Sequence, residues 1–383
     1  MCGLATGSQE WYTFLMHNAV EKGKKVFVAM SGGVDSSVAA FLLQKEGYDV
    51  TGVFMKVWQP FDEAQGKPLT ECTWREDRQD AMRVAARLGV PFETWNFEEE
   101  YKRDVVEYMI SEYRAGRTPN PDVMCNRHIK FGVFLREALR RGADYIATGH
   151  YARIQDSGIR NQESQFHLLA GVDKNKDQSY FLYALGQEEL SRTLFPIGKY
   201  LKPKVRIIAQ KAGLPTAQKK DSQGLCFIGK LDMREFLSHY IAPVHGEVMT
   251  SAGKVIGEHR GAAYYTLGQR HGFSTRAQSP HESPYYIVAK DIGSNTLTVA
   301  HTPKTAEKEV SVRDTRWTLS PPIVNKRYTA RLRYRQRLLA CSVRIGSNAD
   351  AVVAFTNALG IIPAGQSLVL YDGDECLGGG IIV

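Results

Sequence analysis

The 383-residue sequence predicts an α/β fold, a doubly wound and mostly parallel sheet followed by a small β-rich central domain and a C-terminal β-barrel. Two observations predict it. Up to about Lys230, apolar strand-like runs alternate with segments of helical period, the pattern of a parallel sheet covered on both faces. From Leu231 onward, short β runs separated by glycine and proline replace them, the pattern of small β modules. The expected division is 1–230, with 1–24 as an extension, then 231–300 and 301–383. A chain of this length builds two or three cores without covalent staples.

The first element sets the chemistry. Val26 to Met30 is a β-branched and aromatic run that reads as a buried strand. It breaks at Ser31-Gly32-Gly33 and resumes as a helix over Val34 to Lys45, with Val34, Val38, Phe41 and Leu42 at helical spacing. Strand, glycine turn and helix start place unpaired backbone N–H groups and a positive dipole end at one point, which favours an anion. This is not G-x-x-x-x-G-K-[ST], because Lys45 lies too far down the helix. The spelling Ser31-Gly-Gly-Val-Asp-Ser-Ser37 resembles the PP-loop of ATP pyrophosphatases, which split ATP between the α and β phosphates.

The following elements alternate. Asp49 to Met55 reads as a strand, Glu76 to Leu88 as a helix and Phe92 to Phe97 as a strand. Glu98 to Tyr113 is an amphipathic helix stopped by Gly116; Phe131 to Arg140 is helical, and Asp144 to Thr148 is a short strand. Ligands of such sheets bind at the carboxyl ends of strands, so Met55, Gly149 and His150 are expected to face the same crevice as Ser31. Two prolines stiffen Gly116 to Phe131, and Cys125 is expected where a helix begins, flanked by Arg127 and Lys130. Such surroundings raise the thiolate fraction; the alternative is a buried packing cysteine. Cys226 falls in a polar, glycine-bounded stretch, Lys220 to Gly229, where a packing thiol is less expected. Asp173 to Tyr180 reads as a polar loop rich in donors.

Beyond a short helix at Met233 to Tyr240, strands are expected at Gly246 to Met249, Gly253 to Gly257, Pro284 to Ala289 and Thr296 to Ala300. Further strands are expected at Tyr328 to Leu339, Ala351 to Phe355, Ser367 to Tyr371 and Gly378 to Val383. Arg331, Arg333, Arg335 and Arg337 would share one face of the Tyr328–Leu339 strand, a surface suited to phosphate backbones.

Composition narrows the partners. The net charge of +8 favours an anionic one. Six cysteines without a C-x-x-C pair argue against a clustered zinc or iron–sulfur site and against a secreted disulfide framework. No apolar run is long enough to span a membrane, and the first residues fit neither a secretory nor a mitochondrial leader, so a cytoplasmic protein is expected. Cys2 lies too close to Gly32 for a glutaminase domain to fit between them, and neither Cys2 nor Cys72 is assigned a role.

Taken together, the motifs resemble the tRNA-specific 2-thiouridylases, called MnmA in bacteria. The resemblance runs from about Lys25 to the end of the chain. It rests on Ser31 to Ser37, Gly116 to Asp122 with Cys125-Asn126, Ala147 to Arg153, Lys176 to Tyr180, Asp221 to Gly229, Tyr264 to Arg270 and Leu377 to Gly380. It implies ATP-dependent 2-thiolation of the wobble uridine, position 34, in tRNAs for Lys, Glu and Gln. The C2 oxygen would be adenylated and displaced by a cysteine persulfide, giving 2-thiouridine, AMP and pyrophosphate. Carried over by motif, Cys226 bears the persulfide supplied by a carrier or cysteine desulfurase. Cys125 is the nucleophile that resolves it through a Cys125–Cys226 disulfide or frees hydrosulfide. Ala29, Met30, Ser31, Gly32, Gly33, Val34, Asp35, Ser36, Met55 and Gly149 are expected at ATP, with Asp35 toward Mg2+. Asn120, Pro121 and Asp122 are expected at the flipped base, with Asp122 assisting proton transfer. His150, Lys176, Asp177, Gln178, Arg333, Tyr334 and Gln366 are expected at tRNA. Two rivals are a PP-loop ligase of small molecules, which needs no paired motif cysteines, and a tRNA-binding protein with a degenerate ATP site, against which the intact Ser31–Ser37 loop speaks.

Overall fold

The computed structural model describes residues 23–62, 67–68, 74–160, 163–221, 232–275, 283–302, 307–346 and 350–383. Residues 1–22 of the extension, Cys2 among them, lie outside these, as do Cys72 and Cys226.

The first domain opens with β1 (Lys25–Ala29), α1 (Val34–Glu46) and β2 (Asp49–Lys56), followed by a two-stranded ribbon, β3 (Phe61–Asp62) and β4 (Lys67–Pro68). Next come α2 (Trp74–Leu88) and β5 (Phe92–Asn96). One long helix then runs through α3 (Glu98–Tyr101), a π-helical segment and α4 (Tyr108–Arg114). A second runs through α5 (Pro121–Met124), a π-helical segment Cys125–Val133 and α6 (Phe134–Arg140). β6 (Tyr145–Ala147) completes the expected set.

Strand alternation sorts the core. Val26 and Val28 of β1 face one layer with Val38, Leu43, Val84, Val205 and Ala209, whereas Phe27 and Ala29 face the other with Trp95, Met109, Ile129 and Phe134. Each of the larger apolar side chains among these stabilises the fold by about 1.5–3 kcal/mol relative to exposure, the alanines by less.

Sequence reading did not anticipate the next segment. β7 (Ala152–Arg160) and β8 (Glu163–Ala170) form a hairpin that leaves this sheet, and after α7 (Gln187–Ser191) the chain returns as β9 (Thr193–Leu194). The parallel sheet has the order β5-β2-β1-β6-β9, so direction of winding reverses between β1 and β6. α8 (Lys202–Lys211) packs on α1, and α9 (Met233–Ser238) leads out of the domain.

The central domain is a five-stranded sheet of β10 (Gly246–Thr250), β11 (Val255–His259), β12 (Ser274–Thr275), β13 (Tyr286–Asp291) and β14 (Thr296–Ala300). Six antiparallel strands follow: β15 (Glu309–Trp317), β16 (Tyr328–Arg331), β17 (Leu339–Ile345), β18 (Ala351–Phe355), β19 (Ser367–Asp372) and β20 (Glu375–Ile382). They run in the order β15-β18-β17-β16-β19-β20, and β15 also pairs with β20, which closes the barrel. β20 additionally takes β8 at Glu375↔Leu169, so the hairpin of the first domain extends the barrel sheet.

One expectation is corrected. The strand expected over Tyr328 to Leu339 ends at Arg331, and the chain turns through Arg333–Arg335 before β17. Arg335 has φ +62°, and the Gln336 side chain accepts from the Leu332 N–H to close the turn. The four arginines therefore do not share a strand face. No helix among the described residues is long and apolar enough to cross a membrane.

Leu370 is fully buried in the barrel core with Val343 and Val353. Leu370→Ala is expected to lower stability by about 2–5 kcal/mol, read from the urea midpoint of barrel unfolding.

Candidate active site

The site begins where β1 ends. Gly32 has φ +74°, and a Cβ there would lie 2.2 Å from the Asp77 carbonyl oxygen, so both conformation and space require glycine. Ser36 and Ser37 turn back on the loop, each donating to the Gly33 carbonyl, at 3.2 and 2.7 Å. The Ser36 hydroxyl also accepts from the Ser31 N–H at 3.2 Å, and Thr216 donates to the Ser37 hydroxyl at 2.9 Å. With these side chains spent on shaping the loop, the first-turn N–H groups of α1 remain to face the crevice. Gly149, at the end of β6, closes its other wall. A Cβ there would lie 2.6 Å from the Ser36 nitrogen. The crevice thus stands at the topological switch point, where ligands of open α/β sheets bind. Ala29, Met30 and Met55 are buried beneath it.

A charge network flanks the loop. Asp35, in the first turn of α1, accepts from Lys202 at 2.8 Å to both carboxylate oxygens and from the Tyr151 hydroxyl at 2.8 Å. Lys202 also meets Asp221 at 2.9 Å, and Asp221 accepts from Lys176 at 2.7 Å and Arg206 at 2.6 Å. Burial acts against the Asp221 carboxylate, yet hydrogen bonds from Lys176 and Lys202 hold it well below the usual carboxylate range. Sequence reading passed over Lys202, Tyr151 and Asp221 as members of one cluster. The Mg2+ expected at Asp35 does not fit this arrangement: its carboxylate is committed to an ammonium and a phenol, and no group of three or more candidate ligands occurs among the described residues.

The proline loop leads to the second centre. Asn120 caps α5, its Oδ1 accepting from the Val123 N–H at 3.5 Å, with Pro121 and Asp122 in the first turn. The helix starts at Pro121, so Cys125 lies one turn inside it rather than at its start, which corrects that expectation. Cys125 is fully buried, and Asn126 beside it donates to the Phe181 carbonyl at 3.0 Å while its buried Oδ1 has no partner among the described residues. Arg127 pairs with Asp314 of β15 at 2.9 Å, and the Lys130 ammonium lies 3.5 Å from His150.

The remaining expected residues divide. His150 is buried between Phe131 and Phe195, bonded to Thr148, and burial, with the Lys130 charge, pushes its imidazole well below the usual value. Asp177 is buried and receives Arg331 at 2.9 Å, while Gln178 accepts from the Tyr151 N–H. Arg333 donates to the Ile361 carbonyl, and the Tyr334 ring packs tilted against Phe181, centroids 4.5 Å apart. Gln366 spends its amide on the Thr118 and Pro119 carbonyls. Lys176 and the barrel turn meet at an open cavity of about 290 Å³ lined by Lys174, Asn175, Lys176, Arg331 and Arg335. The first two of these were part of the donor-rich loop and were not singled out.

Comparison with known proteins follows this geometry. Family models described as "tRNA methyl transferase HUP domain", "tRNA methyl transferase PRC-barrel domain" and "Aminomethyltransferase beta-barrel domain" match residues 24–230, 234–301 and 307–382. A tRNA-specific 2-thiouridylase MnmA of Streptococcus sanguinis is 47% identical over 94% of this chain and 95% of its own length. That of Bacillus subtilis is 45% identical over 94% of each chain. The chain belongs to the tRNA-specific 2-thiouridylase family. Among solved structures, a 4-thiouridine synthetase–RNA complex with bound ATP matches at 19% identity and TM-score 0.33, over 56% of this chain and 50% of that one. That likeness is too slight to carry an argument.

One ionic cluster anchors the proline loop of this family member. Glu112 is buried and accepts two bonds from Arg117, at 2.6 and 2.7 Å, and two from Arg313 of β15. The Arg117 hydrogen bond holds the Glu112 carboxyl below its ordinary value. A depressed carboxyl contributes stability above its unfolded pKa of about 4.3 and loses it as pH falls through the lower folded value. Glu112→Gln is expected to cost about 1–3 kcal/mol at pH 7, below the buried-pair range because both arginines keep much of their side chains in water. Urea unfolding at pH 7 and at low pH should show the acid loss reduced in the variant.

Proposed function

We propose that the protein is a tRNA-uridine 2-sulfurtransferase that converts the wobble uridine, position 34, to 2-thiouridine with ATP as co-substrate. The observation that carries this reading is the Ser31–Ser37 loop at the switch point, walled by Gly149, in a chain whose relatives are named tRNA-specific 2-thiouridylases. The first-turn N–H groups of α1 suit the phosphates of ATP, and the close approach of Gly149 would leave backbone against the nucleotide. The domain division 1–230, 231–300 and 301–383 is part of the proposal; the spans of the family models support it.

The chemistry needs activation because the oxygen of an uridine carbonyl is a poor leaving group. The C2 oxygen attacks the α-phosphorus, and the bond to pyrophosphate breaks. The terminal sulfur of a persulfide on Cys226 then attacks C2, and the C2–O bond breaks with AMP as leaving group. In the resolving route, the Cys125 thiolate attacks the Cys226 sulfur, forming a disulfide and leaving sulfur on C2. In the other, Cys125 attacks the inner sulfur of the persulfide before transfer, the same disulfide forms, and the hydrosulfide released attacks C2 as the C2–O bond breaks and AMP leaves. An external thiol reductant restores both cysteines for the next turnover. Asn120, Pro121 and Asp122 would meet the extruded base, and the unpartnered Asn126 Oδ1 offers an acceptor beside Cys125. The basic cavity between Lys176 and Arg335 suits tRNA phosphate. The sulfur donor would be a persulfide carrier or a cysteine desulfurase, tRNAs for Lys, Glu and Gln the acceptors, and the cytoplasm the setting.

Mercury-retarded electrophoresis of a tRNA with a wobble uridine, incubated with ATP and a persulfide donor, tests the reading. Wild type should give an ATP-dependent shift that Cys125→Ser and Cys226→Ser each reduce by at least about 100-fold, as for a lost covalent nucleophile. Turnover intact in the double variant would point to the small-molecule ligase class. Absence of tRNA-stimulated pyrophosphate release would point to a binding protein.

A further inference from the structure

The stretch from Gly116 to Asn120 is tied to its own domain through Tyr113 and Glu112, and it is met by the other two domains. A Cβ on Gly116 would lie 2.6 Å from Ile292 of the central domain, and the Thr118 hydroxyl lies 3.1 Å from that of Thr266. The barrel contributes more. The Thr118 N–H donates to the Ala364 carbonyl at 2.8 Å. The Gln366 Nε2 donates to the carbonyls of both Thr118, at 2.9 Å, and Pro119, at 3.1 Å. Gly365 has φ +90°, and a Cβ there would lie 2.9 Å from the Thr118 oxygen, so the barrel turn approaches as closely as a glycine permits. One residue beyond Gln366, the Ser367 carbonyl accepts from the Tyr180 hydroxyl at 2.9 Å, and Tyr180 in turn hydrogen-bonds Asn120. Two limbs of one barrel turn therefore converge on the residue that caps the helix carrying Asp122 and Cys125.

We propose that Gln366 is a positioning residue: its amide clamps the Thr118 and Pro119 carbonyls and so sets the place of Asn120 and the start of the Cys125 helix. This rests on the thiolation reading for its functional consequence, and it gives Gln366 a role other than direct contact with tRNA. Without the two donors, neighbouring carbonyls face each other with no hydrogen between them, and the loop relaxes away from the barrel. A displacement of about 1 Å at reacting groups lowers turnover by up to about 10²-fold. It leaves the affinity for tRNA, set by phosphate contacts elsewhere, nearly unchanged.

The test uses the full chain with Gln366→Met, which keeps side-chain length and removes the donors, and Gln366→Glu, which turns acceptors toward the carbonyls. Gly365→Ala is the third variant; it pushes the same loop from the other side without touching the amide. Thiolation at saturating tRNA, the tRNA Kd and backbone hydrogen exchange over residues 118–123 are measured beside the thermal midpoint. All three variants should lose at least about 10-fold in kcat, keep Kd within about two-fold, and exchange faster over 118–123; the Gln366 variants should do so near the wild-type midpoint, whereas Gly365→Ala, strained at φ +90°, lowers it. Loss confined to Kd, with kcat and exchange preserved, would overturn the proposal in favour of direct tRNA contact. Unchanged kcat and unchanged exchange would overturn it outright. Were wild type itself to make no 2-thiouridine, the activity reading would fail, while the exchange measurement would still decide whether Gln366 holds the loop.

Discussion

The whole arrangement depends on how closely two strand ends approach at the switch between β1 and β6. The strand order puts α1 on one side of that gap and the continuation of β6 on the other, and Gly149 lets the two backbones close to contact distance. Everything polar nearby is organised around that approach. Ser36 and Ser37 bend inward to the Gly33 carbonyl, and Lys202 reaches in from α8 to neutralise Asp35. A loop preorganised in this way meets an incoming phosphate with donors already in place, so little reorganisation remains when charge develops.

The second organising feature is that the domains share structure rather than merely touch. The β7–β8 hairpin leaves the parallel sheet and continues the barrel sheet through β20. In the opposite direction the barrel lends Ala364 and Gln366 to the loop that caps the Cys125 helix, and Arg313 to Glu112 of α4 just before it. Asp177 and Arg331 add a buried bond between the donor-rich loop and β16. A barrel tied at so many points to the proline loop is suited to report its own contacts to the chemistry, beyond serving as a separate platform.

Much of this was legible in the chain. The strands and helices up to β6 announce themselves by period, and the glycine turn after Val26–Met30 marks the nucleotide-type loop. What escaped is what depends on distant partners. The Arg331–Arg337 alternation has a strand's period, but the turn is decided by the Gln336 side chain and the left-handed backbone at Arg335. The polar β7–β8 hairpin gains its place from β20, some two hundred residues later, and nothing local points there. Lys202 is one lysine among many until folding brings it to Asp35. The family resemblance implies Gln366 at tRNA; only its geometry against Thr118 and Pro119 gives its amide another use.

The central claim is that the loop at β1 serves to turn the uridine C2 oxygen into part of a leaving group. Oxygen-18 at C2 of the wobble uridine tests it most directly, with AMP and water analysed by mass spectrometry after thiolation. The account predicts one labelled oxygen in AMP for each 2-thiouridine formed, with pyrophosphate unlabelled. Label appearing in water, or thiolation accompanied by ADP and phosphate in place of AMP, would contradict it.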